Sequence, residues 1–191
     1  MKPYFILFSL LFNLFSLSSA SATSLLPITL EQLSTRATLI FYGEVLSNQV
    51  KQDEQSGHIA TFTEFKVIDL IKGATGNTHT IKQIGGNLKD RNMALRIHGV
   101  PKFQTGNNYV VFLPTKSKLG FSSPLGLHQG SFSVATIDNE QIVSNGRNFA
   151  KQAVASQNNK IIQVPLAVNV DKPSQSRLDD FINTVRAYNT Q

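Results

Sequence analysis

"TLIFYGEVLSNQVKQDEQSGHIATFTEFKVIDLIKG", residues 38–73, decides the fold. Thr38 to Val50 is rich in β-branched and aromatic residues, the stretch from His58 onward is too, and polar "KQDEQSG" (51–57) separates them. Such side chains suit a pleated, half-buried surface, and the polar break reads as the loop between paired strands. Within the second stretch Phe65 and Val67 share one face and Glu64 and Lys66 the other, the period of two expected of a sheet with one wet side. Strands this long can each serve both sides of a small barrel. The expected class is therefore mainly β: an OB-like antiparallel β-barrel with a short N-terminal helix and a C-terminal amphipathic helix.

Upstream, "PITLEQLSTRA" (27–37) places Thr29 and Gln32 at capping-box spacing, with Leu30 and Leu33 able to face inward together, which predicts one short helix. Downstream, the turn cluster "GATGN" (73–77) leads into a third strand, "THTIKQI" (78–84), where Thr78, Thr80 and Lys82 alternate with His79, Ile81 and Gln83. "NYVVFLP" (108–114) reads as a fourth strand, and "LGLHQGSFSVATI" (125–137) as a fifth that returns through "IVS" to an Asn145-Gly146 turn. Residues 149–173 mix short apolar runs with amide-rich turns and give no clear element. At the end, Ser174 is placed to cap a helix in which Leu178, Phe181, Ile182 and Val185 fall at i, i+3, i+4 and i+7. No fixed-period repeat is present.

The N-terminus bounds the compartment. Lys2, an apolar run from Tyr4 to Leu17, and small residues with an A-x-A pattern at Ala20 and Ala22 read as a cleaved signal peptide, residues 1–22. The apolar run is shorter than the ~20 residues a membrane span needs. The expected mature chain is a single β-barrel domain, 23–191, with a helical extension at 174–190, working in the periplasm or outside the cell. Cysteine is absent, which excludes disulfides, thiolate catalysis, cysteine-ligated metals and a lipid-anchoring cysteine. With Lys2 set aside, 17 basic residues face 12 acidic ones, a formal charge of +5. That modest excess contains no basic block of the kind nucleic acid requires.

The least expected stretch is "GGNLKDRNMALRIHGVPKFQTG" (85–106), a long basic insertion between the third and fourth strands. Gly85-Gly86 permit a sharp exit by tolerating positive φ, Val100-Pro101 favours an extended approach, and Thr105-Gly106 turns the chain into the next strand. Connections longer than ~12–15 residues are usually functional when they are ordered. Met93, Leu95, Ile97 and Phe103 predict order by packing on the barrel, with Arg91, Arg96 and His98 facing outward. Lys89, Arg91, Arg96, His98 and Lys102 form the candidate binding surface, because such cations, arginine forks above all, suit carboxylates and other anions. Solvated charge on a packed loop is the plainer alternative.

Catalytic and metal patterns are missing. His58, His79, His98 and His128 lie in separate elements and in no metal-ligand spacing. The serines lack a nucleophile motif; His128 and Ser131 would point to opposite strand faces; no glycine loop suits a phosphate. The expectation is no catalytic residue, no metal site and no cofactor, although a triad dispersed along the chain would not be visible at this level.

The order "TLEQLSTRATLIFYGEV", "FTEFKVIDLIKG", "IKQIGG", "GVPKFQTGNNYVVFL" and "LGLHQGSFSV" resembles an uncharacterised family of exported bacterial proteins, the run from Gly99 to Gly106 above all. That resemblance implies kinship and no activity. A fold-level likeness to the netrin-like OB barrels, which include the tissue inhibitors of metalloproteinases, rests on a short leader, a long first strand and a second strand ending in Lys72-Gly73. Those inhibitors bind the protease zinc through an N-terminal cysteine, which this chain lacks. The expectation is a secreted or periplasmic non-catalytic binding module for a protein or anionic envelope component, with an inhibitor or accessory factor of an exported metalloprotease as the alternative.

Overall fold

The computed structural model describes residues 26–147 and 174–190. The expected signal peptide (1–22) and the segment 149–173 lie outside the described residues. Among the described residues nine strands and two α-helices form a mainly β fold: α1 (Leu30–Arg36), β1 (Leu39–Gln52), β2 (Ile59–Lys72), β3 (Thr78–Ile84), β4 (Gly86–Leu88), β5 (Met93–Leu95), β6 (Asn108–Leu113), β7 (Ser131–Ile137), β8 (Glu140–Ser144), β9 (Ser176–Arg177) and α2 (Leu178–Ala187). Seven strands make one antiparallel sheet in the order β3-β2-β1-β6-β7-β8-β9, while β4 and β5 form a separate two-stranded hairpin. Among the described residues no pairing joins the outer strands β3 and β9. No described helix is long and apolar enough to cross a membrane.

The two strands of the decisive stretch are each 14 residues long. Their register slips at three places, between Ile40 and Phe41, Tyr42 and Gly43, and Val45 and Ser47. Bulges of this kind bend a ribbon and increase its twist, so one end of β1 lies in the core while the other, beyond Val45, carries mostly exposed side chains. The first end pairs with β6, Leu39 opposite Leu113 through Glu44 opposite Asn108. Among the described residues the far end, from Ser47, pairs only with β2, which in turn holds β3.

Helices cover one face of the sheet centre. The predicted capping box starts α1: Gln32 N–H donates to Thr29 Oγ1 at 3.0 Å and Thr29 N–H to Gln32 Oε1 at 3.2 Å. In α2 the four residues expected on the apolar face are all buried. Ser174 does not cap that helix. The chain forms β9 first, and Arg177 holds the cap position without a side-chain bond. Phe181 meets Phe132 with ring centroids 4.8 Å apart and Phe112 at 6.3 Å. Each buried phenyl contributes roughly 1.5–3 kcal/mol.

The far ribbon is held on its own outer side by an enclosed ion pair. Lys82, on β3, reaches Asp53 in the β1–β2 turn at 2.6 Å and donates to the Leu119 carbonyl at 2.7 Å. Its ammonium lies over the rings of Phe62 and Phe121. Ser56 adds two hydrogen bonds to Asp53 Oδ2, at 2.9 Å from N–H and 2.6 Å from Oγ. The Lys82 hydrogen bond first and Ser56 second hold the Asp53 carboxyl at a pKa of about 2, below its ordinary 3.8. A folded-state pKa below the unfolded one stabilises the fold above the unfolded value and ceases to as pH falls through the folded value. The contribution should therefore be complete above about pH 4 and vanish towards about pH 2. Thermal melts across that window should show a steeper acid loss for the native chain than for Asp53→Asn; parallel curves would remove the ion pair from the account.

Candidate functional site

The position of β6 dictates the site. Because β6 lies beside β1, the chain leaving the edge strand β3 must return across β2 and β1, three strand spacings or about 15 Å. Residues 85–107 make that crossing over the sheet face opposite the helices. Gly85 and Gly86 begin it with φ of 100° and 148°, as their sequence predicts. Gly86 also lies so close to Val50 and Thr61 that an added Cβ would fall 2.5 Å from Val50 Cγ1.

Three anchors hold the crossing segment down. Thr61 Oγ1 donates to the Gly85 carbonyl at 2.7 Å, and Gly85 N–H donates to Ile59 at 2.8 Å. In the middle, His128 N–H donates to the Gly99 carbonyl at 3.1 Å. At the exit, Asn48 Nδ2 donates to the Phe103 carbonyl at 2.9 Å. Phe103 is 6% exposed and meets Phe65 and Tyr109 edge-on, with centroids 5.0 and 5.1 Å away. The expectation that Met93 and Ile97 also tuck in is wrong: they are 51% and 40% exposed. Residues 86–95 instead satisfy their backbone in the hairpin β4–β5, so the apolar alternation there is not needed to order the segment.

Between the segment and the sheet lies an open cavity of about 700 Å³. Its floor includes Thr61, Thr63 and Gln83, and its walls include Ile84, Leu95, Ile97 and Phe103. Of the five cations and imidazoles singled out in the sequence, Arg96, His98 and Lys102 border this cavity. All three are exposed, and among the described residues none has a hydrogen-bond or ion-pair partner. Lys89 and Arg91 are elsewhere, in a short 3-10 turn at the tip of the β4–β5 hairpin, where Arg91 donates to Gln52 Oε1 at 2.8 Å.

Gln83 is the residue sequence reasoning missed. It is 3% exposed, no hydrogen bond holds its side chain among the described residues, and its Nε2 is enclosed without a partner. Beside it, Thr63 Oγ1 donates to Asn48 Oδ1 at 2.7 Å and Thr61 donates to Gly85, so both hydroxyls have spent their protons and keep only acceptor capacity. The one available signal was alternation: Gln83 shares a strand face with His79 and Ile81, and a polar residue at the inward end of that face is out of pattern.

The other histidines do not join the site. His79 bonds Thr75 Oγ1 at 2.9 Å and leans on Phe41; burial first, and Lys116 second, push it below the ordinary imidazole value. His128, inside the stretch 125–137 expected as a fifth strand, is exposed, because the strand starts only at Ser131 after a 3-10 turn. No group of three His, Asp or Glu side chains able to hold a metal occurs among the described residues. Compared with known proteins, the chain matches no family model and no curated protein.

A buried amide nitrogen without a partner costs about 1–3 kcal/mol, and an apolar replacement of similar shape removes that cost. Gln83→Leu should accordingly raise the melting temperature by roughly 2–4 °C, about 1 kcal/mol for a chain of this size. A drop of that size, read by calorimetry, would mean the amide is bonded in the folded protein.

Proposed function

We propose that this chain is an exported, non-catalytic binding module whose cavity under the crossing segment receives an anionic group of a protein or envelope component. The observation that carries the reading is the convergence of Arg96, His98 and Lys102, all without partners among the described residues, on the border of one cavity. Unpaired surface cations are common, but cations gathered at the mouth of a concave, partly apolar site favour a ligand of opposite charge. The leader-like run from Tyr4 to Leu17 with Ala20 and Ala22 supports export to the periplasm or beyond. An OB-like barrel belongs to the same proposal: the three slips between β1 and β2 supply the coiling a barrel requires.

The structural separation of the five basic residues allows a direct test. Affinity capture from envelope and culture-medium fractions would compare the full native chain with Arg96→Ala/Lys102→Ala and with Lys89→Ala/Arg91→Ala. Loss of charge-assisted hydrogen bonds should weaken retention roughly tenfold or more in the first variant and flatten its salt dependence. The second should retain its partner within about threefold, as exposed charges away from the contact contribute little. Equal retention by all three forms would sink the reading.

A further inference from the structure

We infer that the occupant of this cavity is an extended peptide segment of a partner protein, carrying an acidic residue beside an apolar one, with a main-chain amide set against Gln83. The inference rests on the cavity being a binding site and adds what it binds.

The floor demands a ligand with both donors and acceptors. Thr61 and Thr63 have only acceptor capacity left, whereas the Gln83 carboxamide is unengaged among the described residues. Turning that amide by 180° exchanges its oxygen and nitrogen without changing its shape, so it can present either group to a ligand. A bare anion supplies no donor, so it could satisfy the border cations and the Gln83 NH₂ but would leave the Thr61 and Thr63 acceptors unpaired. A peptide group supplies one N–H and one C=O, the complement of a carboxamide.

The walls favour a polypeptide over an anionic sugar. Ile84, Leu95 and Ile97 offer aliphatic contact suited to an apolar side chain. Among the described lining residues Phe103 is the only Phe or Tyr, and its ring is buried edge-on between Phe65 and Tyr109, so no phenyl face is free for a sugar ring and only the His98 imidazole at the border could stack on one. Strand β5, which pairs with β4 alone among the described residues, contributes Ala94 and Leu95 to the wall. A strand with one edge unpaired accepts an extended chain by main-chain hydrogen bonds. Arg96 and Lys102 then select a carboxylate on that chain. The chain's own residues 148–173 carry three lysines against one aspartate, the same sign as the border, which favours a separate partner.

The test is selection of a randomised hexapeptide display pool on the full native chain, with counter-selection on Gln83→Leu. Enriched peptides should pair Asp or Glu with Val, Ile or Leu. A synthetic copy of one should bind Gln83→Leu at least tenfold more weakly by fluorescence anisotropy, and should shift the Gln83 side-chain NH₂ resonances of the native chain. Because Gln83→Leu is expected to melt no lower than the native protein, unfolding cannot imitate the loss; Gln83→Asn should keep part of the affinity. Peptides held equally by Gln83→Leu, or no enrichment, would overturn the inference, as would Gln83-dependent binding of a synthetic 148–173 peptide. An oligogalacturonate measured in parallel separates the two levels. If it binds and is lost on Arg96→Ala/Lys102→Ala while no peptide binds, the cavity reading survives and the peptide falls. If neither probe binds and capture is unaffected by those substitutions, both fall.

Discussion

The pairing of β6 with β1, instead of with the edge strand β3 that precedes it, is the constraint on which the molecule depends. Had β6 continued the meander beyond β3, a turn of a few residues would have been enough, since hairpin connections run to about 2–5 residues. Returning to the centre requires a chain that crosses two strands. A connection laid over a sheet face must satisfy its own backbone and find something apolar to bury. The hairpin β4–β5 answers the first demand, and Phe103 among Phe65 and Tyr109 answers the second. The length of 85–106, its opening glycines and Phe103 follow from this path, and so does the cavity: a segment anchored at its ends and middle by backbone geometry leaves space where it bridges.

Adjacent residues on β3 show how differently the two sides of the far ribbon are finished. Lys82 has a carboxylate, a carbonyl and two aromatic rings around its ammonium. Gln83, next in the chain and on the opposite face, has no hydrogen bond at its amide among the described residues. A charge held this close to the fold is best tolerated when its partners are complete, as those of Lys82 are. The contrast marks the Lys82 side as a closed structural joint between the β1–β2 turn and residues 117–122. The Gln83 side is unfinished by the same standard.

Much of the fold was legible because the patterns that carry it are local. The capping box of Thr29 and Gln32, the residues of β3 and the four buried positions of α2 each follow from spacing along a single element. Pairing order is not local. Nothing in "NYVVFLP" distinguishes a strand that pairs with β1 from one that pairs with β3, so the crossing path and its cavity were beyond reach. The basic residues of 85–106 were visible as candidates, yet their grouping was not: a 3-10 turn sends Lys89 and Arg91 to the hairpin tip and leaves Arg96, His98 and Lys102 at the cavity. The period-two reading of 93–97 failed for a related reason, because a three-residue strand in a hairpin lying on the surface need not bury either face.

The anchoring of the segment bears on how any ligand would be held. Binding costs side-chain and loop ordering, and a site formed beforehand escapes most of that cost. Here Gly85, Gly99 and Phe103 are fixed by bonds to three different parts of the fold, Ile59 and Thr61, His128, and Asn48. The floor stands on a strand pinned from behind by the Lys82 ion pair. The long side chains of Arg96 and Lys102 have no partner among the described residues, and their ordering costs about 0.5–1.5 kcal/mol each on contact. A charge-assisted hydrogen bond contributes about 1.5–3 kcal/mol. Affinity would therefore come from a rigid floor and wall, while the flexible cations at the border add a smaller margin and discriminate by charge.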